Sequence, residues 1–385
     1  MRKATTLFTL LVRLIPRRGA GQVARGRHTE VRVRKLDWFA RLGALVFAQL
    51  ADCPSLRSLL HTLDELPFVR QALGVGRVAK STLTDALEKP VGEIFRTALE
   101  DLLGRLRELC TAQRRRGGRR WRELMTLVDA SQVGLCLSMF EWARRPGKQQ
   151  AGIKLHVAYN LYLRAPEQLL VTVGHVHERN SKAALSIEKG HTYVFDRGYF
   201  DLAFFDQIRD AGAHFVTRIK RGVNVMRYDA RPCSDGRVQR DWDVTLGTDS
   251  DARMLRLVRY QDPKTGRVYD FVTDRFDLNA VSVADAYKAR WQVELFFRFL
   301  KQHLRIKRFF GTSRAAVEAQ LYAAFIAFVL VEIARRIGQG ASGSLLTMLR
   351  SIRVALTTER LDAAWFRNLQ ASPDLPRLLE ERFWE

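Results

Sequence analysis

At 385 residues, 47% hydrophobic and 27% charged, the chain can bury a sizeable core and is excluded from the disordered and fibrous classes. Its 64 lysines and arginines against 41 acids leave a formal charge of +23, which costs self-repulsion unless a polyanion shares the surface. Nucleic acid is the leading partner, and an anionic membrane is the weaker alternative because no lipidation motif is present.

Residues 1–34 carry repeated arginine without sustained periodicity and read as a basic arm. The apolar run Leu7 to Val12 is short and is cut by Arg13, so a signal peptide is not expected. A helical domain is expected over 35–112. Trp38, Leu42, Leu45, Val46 and Leu50 recur at helical spacing, Pro54-Ser55 breaks the pattern, and Leu59, Leu60 and Leu63 resume it. Further on, KSTLTDALEK offers a cap at Ser81 or Thr82, and another helix is predicted from about Gly92 to Cys110. These short helices are compatible with a helix-turn-helix DNA reader and equally with a plain bundle. Cys53, Cys110, Cys136 and Cys233 form no CxxC pair, so neither a zinc knuckle nor a disulfide framework is indicated.

A basic linker, 113–122, follows. Its RRRGGRRWR stretch includes Arg114, Arg115, Arg116, Arg119 and Arg120, which can track phosphates or form a solvated hinge. The period then changes to that of an α/β core, first part 123–219. Leu124 to Val128 reads as a buried strand stopping at Asp129, followed by strands over Gln132 to Ser138, Lys154 to Leu163 and Leu169 to Val176. A short helix near Ala183 to Ile187 precedes a buried strand, Thr192 to Phe195, that stops at Asp196 in YVFDRGYF. A polar group just past a buried strand lies at the sheet's carboxyl edge, where sites are assembled. Helix Leu202 to Ala211 and strand His214 to Ile219 continue the alternation. Over 220–278, short alternating segments separated by SDG and DPKTG predict a small β-rich insertion. A core catalytic helix is assigned to 279–310 and a C-terminal helical region to 311–385. The longest apolar run, Leu321 to Val331, is too short to span a bilayer, so a soluble chain without a membrane partner is expected.

The catalytic helix carries the most chemistry. On a continuous helix turning about 100° per residue, Tyr287, Arg290, Glu294 and Lys301 of YKARWQVELFFRFLK fall within a wedge of roughly 60°. Surface ion pairs would produce the same spacing. Trp291 aligns with Leu295 and Phe299 as a packing ridge, or it stacks on a displaced base. Arg197, next to Asp196, either contacts DNA or pairs structurally. If the strands bearing Asp129 and Asp196 are neighbours, these acids and Glu294 could share divalent cations instead of repelling one another. Hard oxygen ligands suit Mg²⁺ or Mn²⁺, and two such ions would promote in-line attack on a phosphodiester.

The strand-end aspartate, the DRGY-type second aspartate and Tyr287-x2-Arg290-x3-Glu294-x6-Lys301 together resemble the DDE transposases of bacterial insertion sequences. The likeness is greatest to the IS-four family with its YREK signature, and it covers roughly Leu124 to Phe310. The stretch RKLDWFARLGALVFAQLADCPSLRSLL also resembles the helical leader of some such proteins. The resemblance implies an α/β, ribonuclease-H-like catalytic core: a mixed sheet flanked by helices, with a β-rich insertion and a helical N-terminal domain. It implies metal-dependent cleavage at insertion-sequence ends and strand transfer into target DNA. By match, Asp129, Asp196 and Glu294 ligate two metal ions, Arg290 and Lys301 hold phosphates, and Tyr287 donates a hydrogen bond. The implied partners are double-stranded DNA, as terminal inverted repeats and target, and a second copy in a homodimer; the implied location is the prokaryotic cytoplasm at the nucleoid. Two alternatives stand beside this reading: a catalytically inactive, transposase-derived DNA-binding protein, and a ribonuclease-H-like nuclease that cuts without rejoining.

Overall fold

The computed structural model describes residues 6–26, 36–113, 120–145, 149–174, 185–247, 253–338, 343–358 and 364–379. In chain order the helices are α1 (Leu7–Arg13), α2 (Arg18–Gly26), α3 (Trp38–Leu50), α4 (Leu56–Glu65), α5 (Pro67–Leu73), α6 (Lys80–Glu88), α7 (Gly92–Ala112) and α8 (Arg120–Glu123), then α9 (Leu202–Asp210), α10 (Ala280–Ala289), α11 (Trp291–His303), α12 (Arg314–Gly338), α13 (Leu345–Thr358), α14 (Ala364–Ala371) and α15 (Asp374–Leu379). The strands are β1 (Met125–Leu135), β2 (Ala151–Asn160), β3 (Ala165–Val173), β4 (Thr192–Phe195), β5 (His214–Arg218), β6 (Val225–Ala230), β7 (Val238–Leu246), β8 (Leu255–Gln261) and β9 (Val268–Thr273). Two compact units result: a helical one from Met1–Arg115, Leu135–Trp142 and Arg298–Glu385, and an α/β one from Arg116–Gly134 and Ala143–Phe297.

In the helical unit, α12 packs against α3, α6, α7, α13 and α14. Among the described residues it is the one helix long and apolar enough to cross a bilayer, yet 94% of its most apolar window is buried inside the fold. Charge closes its far end, where Glu332 accepts from Arg335 at 2.5 Å and from Arg336 at 2.8 Å, all three buried. The leader departs from the expected arm. Thr6 caps α1, which buries Leu7, Phe8, Leu10, Leu11 and Val12, and α2 packs against α7. A seven-residue helix is too short to show periodicity in sequence. Another difference lies at α6, which starts at Lys80 behind Ala79 without a side-chain cap, so Ser81 and Thr82 sit within its first turn.

The α/β unit is organised by a nine-stranded mixed sheet of order β3-β2-β1-β4-β5-β9-β8-β7-β6. Strands β1, β4 and β5 run parallel, and β5, β9, β8, β7 and β6 pair antiparallel in succession. The segment expected as a β-rich insertion supplies β6 to β9, which extend the core sheet as a meander. Its alternating sequence pattern shows that strands exist but not which edge they join. One face carries Phe195, Phe215, Leu255, Leu257 and Val272 with Phe204, Phe205 and Ile208 of α9, and the Phe205 and Phe215 rings stack at 4.2 Å. The other face receives α10, whose Tyr287 ring lies 4.9 Å from Phe271. All four residues of β4 are buried, as expected of a strand covered on both faces.

Three further local readings are corrected. Gln132 and Asp129 belong to one eleven-residue strand, β1, whose continuous burial ends at Val128, with Val133 alone buried beyond it, although the strand itself continues. No helix forms over Leu185 to Ile187, because Gln168 accepts from the Ser186 amide and donates to its carbonyl, both at 2.9 Å; Ala183 and Ala184 lie outside the described residues. The catalytic helix is not continuous either. It divides at Arg290 into α10 and α11. Arg290 keeps helical angles (φ −52°, ψ −30°), but its amide donates to Tyr287 O at 3.0 Å and its carbonyl accepts from the Val293 amide at 3.1 Å. Such i to i+3 bonds tighten the turn as a 3₁₀ segment does, without any proline or glycine to announce it.

Candidate active site

Strand register places the acids. Val128 on β1 pairs with Phe195 on β4, so Asp129 and Asp196 are the next residues along two adjacent parallel strands. Neighbouring strands lie about 4.8 Å apart, and residues at one register level point to one face. That face is the one covered by α10. Asp129 accepts from the Ala130 amide at 2.8 Å, and Asp196 starts the one-turn helix Arg197–Tyr199.

The helical side chains reach this edge from above the sheet. Arg290 donates to Asp129 at 3.1 Å and to Glu294 at 2.5 Å, bridging a strand acid and a helix acid. Tyr287 donates through its hydroxyl to Asp196 at 3.2 Å. Five predicted residues, Asp129, Asp196, Tyr287, Arg290 and Glu294, are thus brought together. Glu294 sits in the first turn of α11, where the helix dipole favours a carboxylate.

Negative charge exceeds positive within the cluster. Burial pushes the Asp129 carboxyl up to about 6; the Ala130 amide and Arg290 oppose the rise, while Asp196 and Glu294 add to it. Burial and the Asp196 charge raise the Tyr287 hydroxyl above its ordinary range, so it remains a donor. Burial disfavours the Arg290 cation, but Asp129, Tyr287 and Asp196 outweigh that cost and hold it protonated. Among the described residues no three acids, histidines or cysteines close around a single point; the guanidinium stands between two of them. Three carboxylates against one bridging cation nevertheless form a hard-oxygen donor set with unneutralised charge, which fits divalent cations.

Beside the acids lies a cavity of about 340 Å³, lined by Asp196, Tyr287, Arg290, Arg218, Tyr260, Tyr269, Phe271, Lys288 and Trp291 among others. Trp291 is 50% exposed and Leu295 is also exposed, so the expected packing ridge does not form at these two positions. Arg197 is half-buried, and its Nε has no hydrogen-bond partner among the described residues. Lys301 lies further along α11, beyond the division between the units; burial, then Lys307, holds its ammonium below the ordinary lysine range. Arg114, Arg115, Arg116 and Arg119 lie outside the described residues, and Arg120 heads α8. Sequence reading passed over Arg218 at the end of β5 and the buried Arg256–Asp241 pair at 2.6 Å beneath α10. Arg218 carries the same signal as Asp196, a charge ending a buried strand; Arg256 and Asp241 carry none.

Carboxylates at the edge of a mixed sheet, met by an acid from a covering helix, define a class: metal-dependent enzymes acting on phosphodiesters. The chain belongs to the transposase DDE domain family, which it matches over residues 120–330, and residues 3–65 match a domain of unknown function. It is 33% identical to the protein y4zB of Sinorhizobium fredii, described as a transposase, over 67% of this chain and 72% of that one. With a transposase of insertion sequence element IS5377 from Geobacillus stearothermophilus it shares 31% identity over 74% of each chain. A piggyBac transposase synaptic complex with hairpin DNA aligns with 98% of this chain and 84% of its own at 13% identity and a TM-score of 0.45, too distant to transfer any residue role. The protein is a DNA transposase, a polynucleotidyl transferase dependent on divalent metal, and its mixed sheet flanked by helices is consistent with the ribonuclease-H-like fold expected.

Proposed function

We propose that this chain is a transposase of the IS-four type, in which Tyr287, Arg290, Glu294 and Lys301 act as the YREK signature. It cuts the terminal inverted repeats of its own element and joins the freed 3′-ends to target DNA, working as a homodimer at the nucleoid. The observation that carries this reading is the double bridge of Arg290 to Asp129 and Glu294, which ties a signature residue to acids from two remote segments.

Asp129, Asp196 and Glu294 would hold Mg²⁺ or Mn²⁺. When bound, a pair of these ions supplies an activated nucleophile and stabilises the leaving oxygen. The remaining work falls to the chain's own groups. Arg290 bridges the two acids and offsets part of their mutual repulsion, and it presents a fixed, planar cation to a non-bridging phosphate oxygen. Tyr287 orients Asp196 through its hydroxyl, and the apolar contacts of its ring with Phe271 fix that hydroxyl in place. Lys301 and Arg197 add positive charge for the flanking backbone. Trp291, half exposed at the head of α11, offers a stacking surface, and Arg114, Arg115, Arg116, Arg119 and Arg120 track phosphates.

Incubation with DNA bearing the element's ends and Mg²⁺ tests the reading. Cuts at those ends, joined products in a target plasmid, and loss of both in Asp196→Ala with DNA binding retained are expected. Cutting by Asp196→Ala at the wild-type rate would reject the assignment, and cutting without joining would favour the nuclease alternative.

A further inference from the structure

Residues 3–65, the match to a domain of unknown function, include α3, and all thirteen residues of α3 are buried, so no face of that helix is free to enter a DNA groove. Its carboxyl end instead meets the carboxyl end of α11, within the helical unit. Arg353 of α13 donates from Nε to the Leu50 carbonyl at 3.1 Å and from Nη2 to the His303 carbonyl at 2.7 Å, so one guanidinium caps α3 and α11 together. A cation there is favoured by both helix dipoles and satisfies carbonyls of the last turns, which have no partner within their own helices. Asp52 completes the joint. Its carboxylate lies 2.8 Å from Arg305 Nε and 3.8 Å from Arg353, and its carbonyl accepts from Arg305 Nη2 at 3.0 Å. The Gln49 side chain accepts from the Arg305 amide at 2.6 Å. Burial, Arg305 and Arg350 disfavour the Arg353 cation, and Asp52 is the charge that opposes them. Asp52 also holds φ at 60°, a left-handed conformation that glycine adopts more readily. The contacts with two arginines hold this residue where local preference would not.

We propose that the module of residues 3–65 braces the catalytic helix: through Asp52 and Arg353 it fixes the end of α11 and thereby sets Lys301 against a phosphate of the DNA strand. This assignment rests on the transposase reading above and on the phosphate contact given there to Lys301. Lys301 precedes the capped residue His303 by two positions, ~3 Å along the helix axis, so the joint governs the backbone from which its side chain extends. Asp52 and Arg353 are positioning residues, acting through Lys301 and not on the DNA themselves. A displacement of about 1 Å at a group that holds substrate costs on the order of 10²-fold in rate. The loss should therefore fall on cleavage, while overall DNA binding, which many basic residues share, changes little.

The test uses the full-length protein and duplex DNA carrying the element's end, in single-turnover cleavage with Mg²⁺ at saturating protein. Arg353→Ala should slow cleavage on the order of 10²-fold, and Arg353→Lys, which can still reach one of the two carbonyls, should recover part of the rate. Asp52→Gly guards against a variant that merely unfolds. Glycine relieves the left-handed backbone while removing the carboxylate, so its thermal midpoint should match or exceed the wild type although cleavage slows about tenfold. A gain in stability with a loss of rate is not what a purely structural joint would give. Combined with Lys301→Ala, Asp52→Gly should add nothing to the Lys301→Ala defect, because the brace acts through that side chain. Wild-type rates in both Asp52→Gly and Arg353→Ala, or effects of Asp52→Gly and Lys301→Ala that multiply, would overturn the proposal. The single variants separate the two levels: a slow Lys301→Ala beside fully active Asp52→Gly and Arg353→Ala rejects only the brace, while wild-type cleavage by Lys301→Ala rejects the phosphate contact on which it rests.

Discussion

Two arginine–carboxylate clusters lie on the same face of the sheet, and they are built to opposite ends. In the meander, Arg256 and Asp241 form a bidentate pair with side chains 4% and 3% exposed, and Arg256 also donates to the carbonyls of Arg275 and Leu278. Charge is balanced, each guanidinium nitrogen has an acceptor, and the pair locks the segment leading into α10. At the parallel edge one cation, Arg290, faces three acids, and the Asp129 carboxyl is lifted to about 6. The closed cluster spends its electrostatics on holding the backbone; the open one retains an excess of charge for something that binds. Segment 274–279 links them. Arg275 reaches Thr192 at the start of β4 and Asp277 at 2.7 Å, and Asp274 accepts from the Phe215 amide at 2.8 Å, so the approach to Tyr287 is tied to the strand that ends in Asp196.

The largest expected effect would break the comparison at the open cluster. Glu294→Ala should lower cleavage by at least ~10³-fold, measured in single turnover, while leaving the unfolding midpoint nearly unchanged. At the closed cluster the pattern should reverse: Arg256→Ala, read by denaturant unfolding, should cost about 3 to 5 kcal/mol because it strands Asp241 in the interior. Comparable loss of stability in both variants would erase the distinction.

Titration sharpens it. Because the folded-state pKa of Asp129 is raised, its contribution to stability is fully present below the unfolded value of about 4 and is lost as pH rises through about 6. Asp129→Asn should therefore gain on the wild type between pH 4 and pH 7.5 in metal-free buffer, by about 2 kcal/mol in unfolding free energy. A flat difference across that range would mean that the acid excess is not felt. The smallest effect belongs to Tyr287→Phe, which keeps the ring on Phe271 and removes one hydrogen bond to Asp196; a slowing of cleavage by about fivefold is expected.

The legible parts of the molecule were those where one residue carries its own signal. Asp196 is visible because the buried run Thr192 to Phe195 ends at a charge, and Tyr287, Arg290 and Glu294 because helical spacing puts them on one side. Arg218 ends the buried strand HFVTR with the same signal, a cation in place of an acid. Other features depend on partners distant in sequence. The position of Asp129 inside β1 could not be read, since the strand runs on past the end of its unbroken buried stretch at Val128. The break at Arg290 arises where one guanidinium must meet Asp129 and Glu294 together, a demand that the local sequence does not record. Whether the meander joined the core sheet or stood apart was decided by the pairing of β5 with β9, 50 or more residues away in the chain.

Convergence of Asp129, Asp196 and Glu294 on shared divalent ions is the central claim, and site-directed radical chemistry reports on it directly. With Fe²⁺ replacing Mg²⁺ in the presence of ascorbate and peroxide, hydroxyl radicals cut the backbone near the bound ion, and the fragments can be sized. Cuts clustered beside all three acids, suppressed by excess Mg²⁺ and lost in Asp196→Ala, are predicted. Cuts confined to other segments, or identical patterns in the wild type and an Asp129→Ala, Asp196→Ala, Glu294→Ala triple variant, would contradict the account.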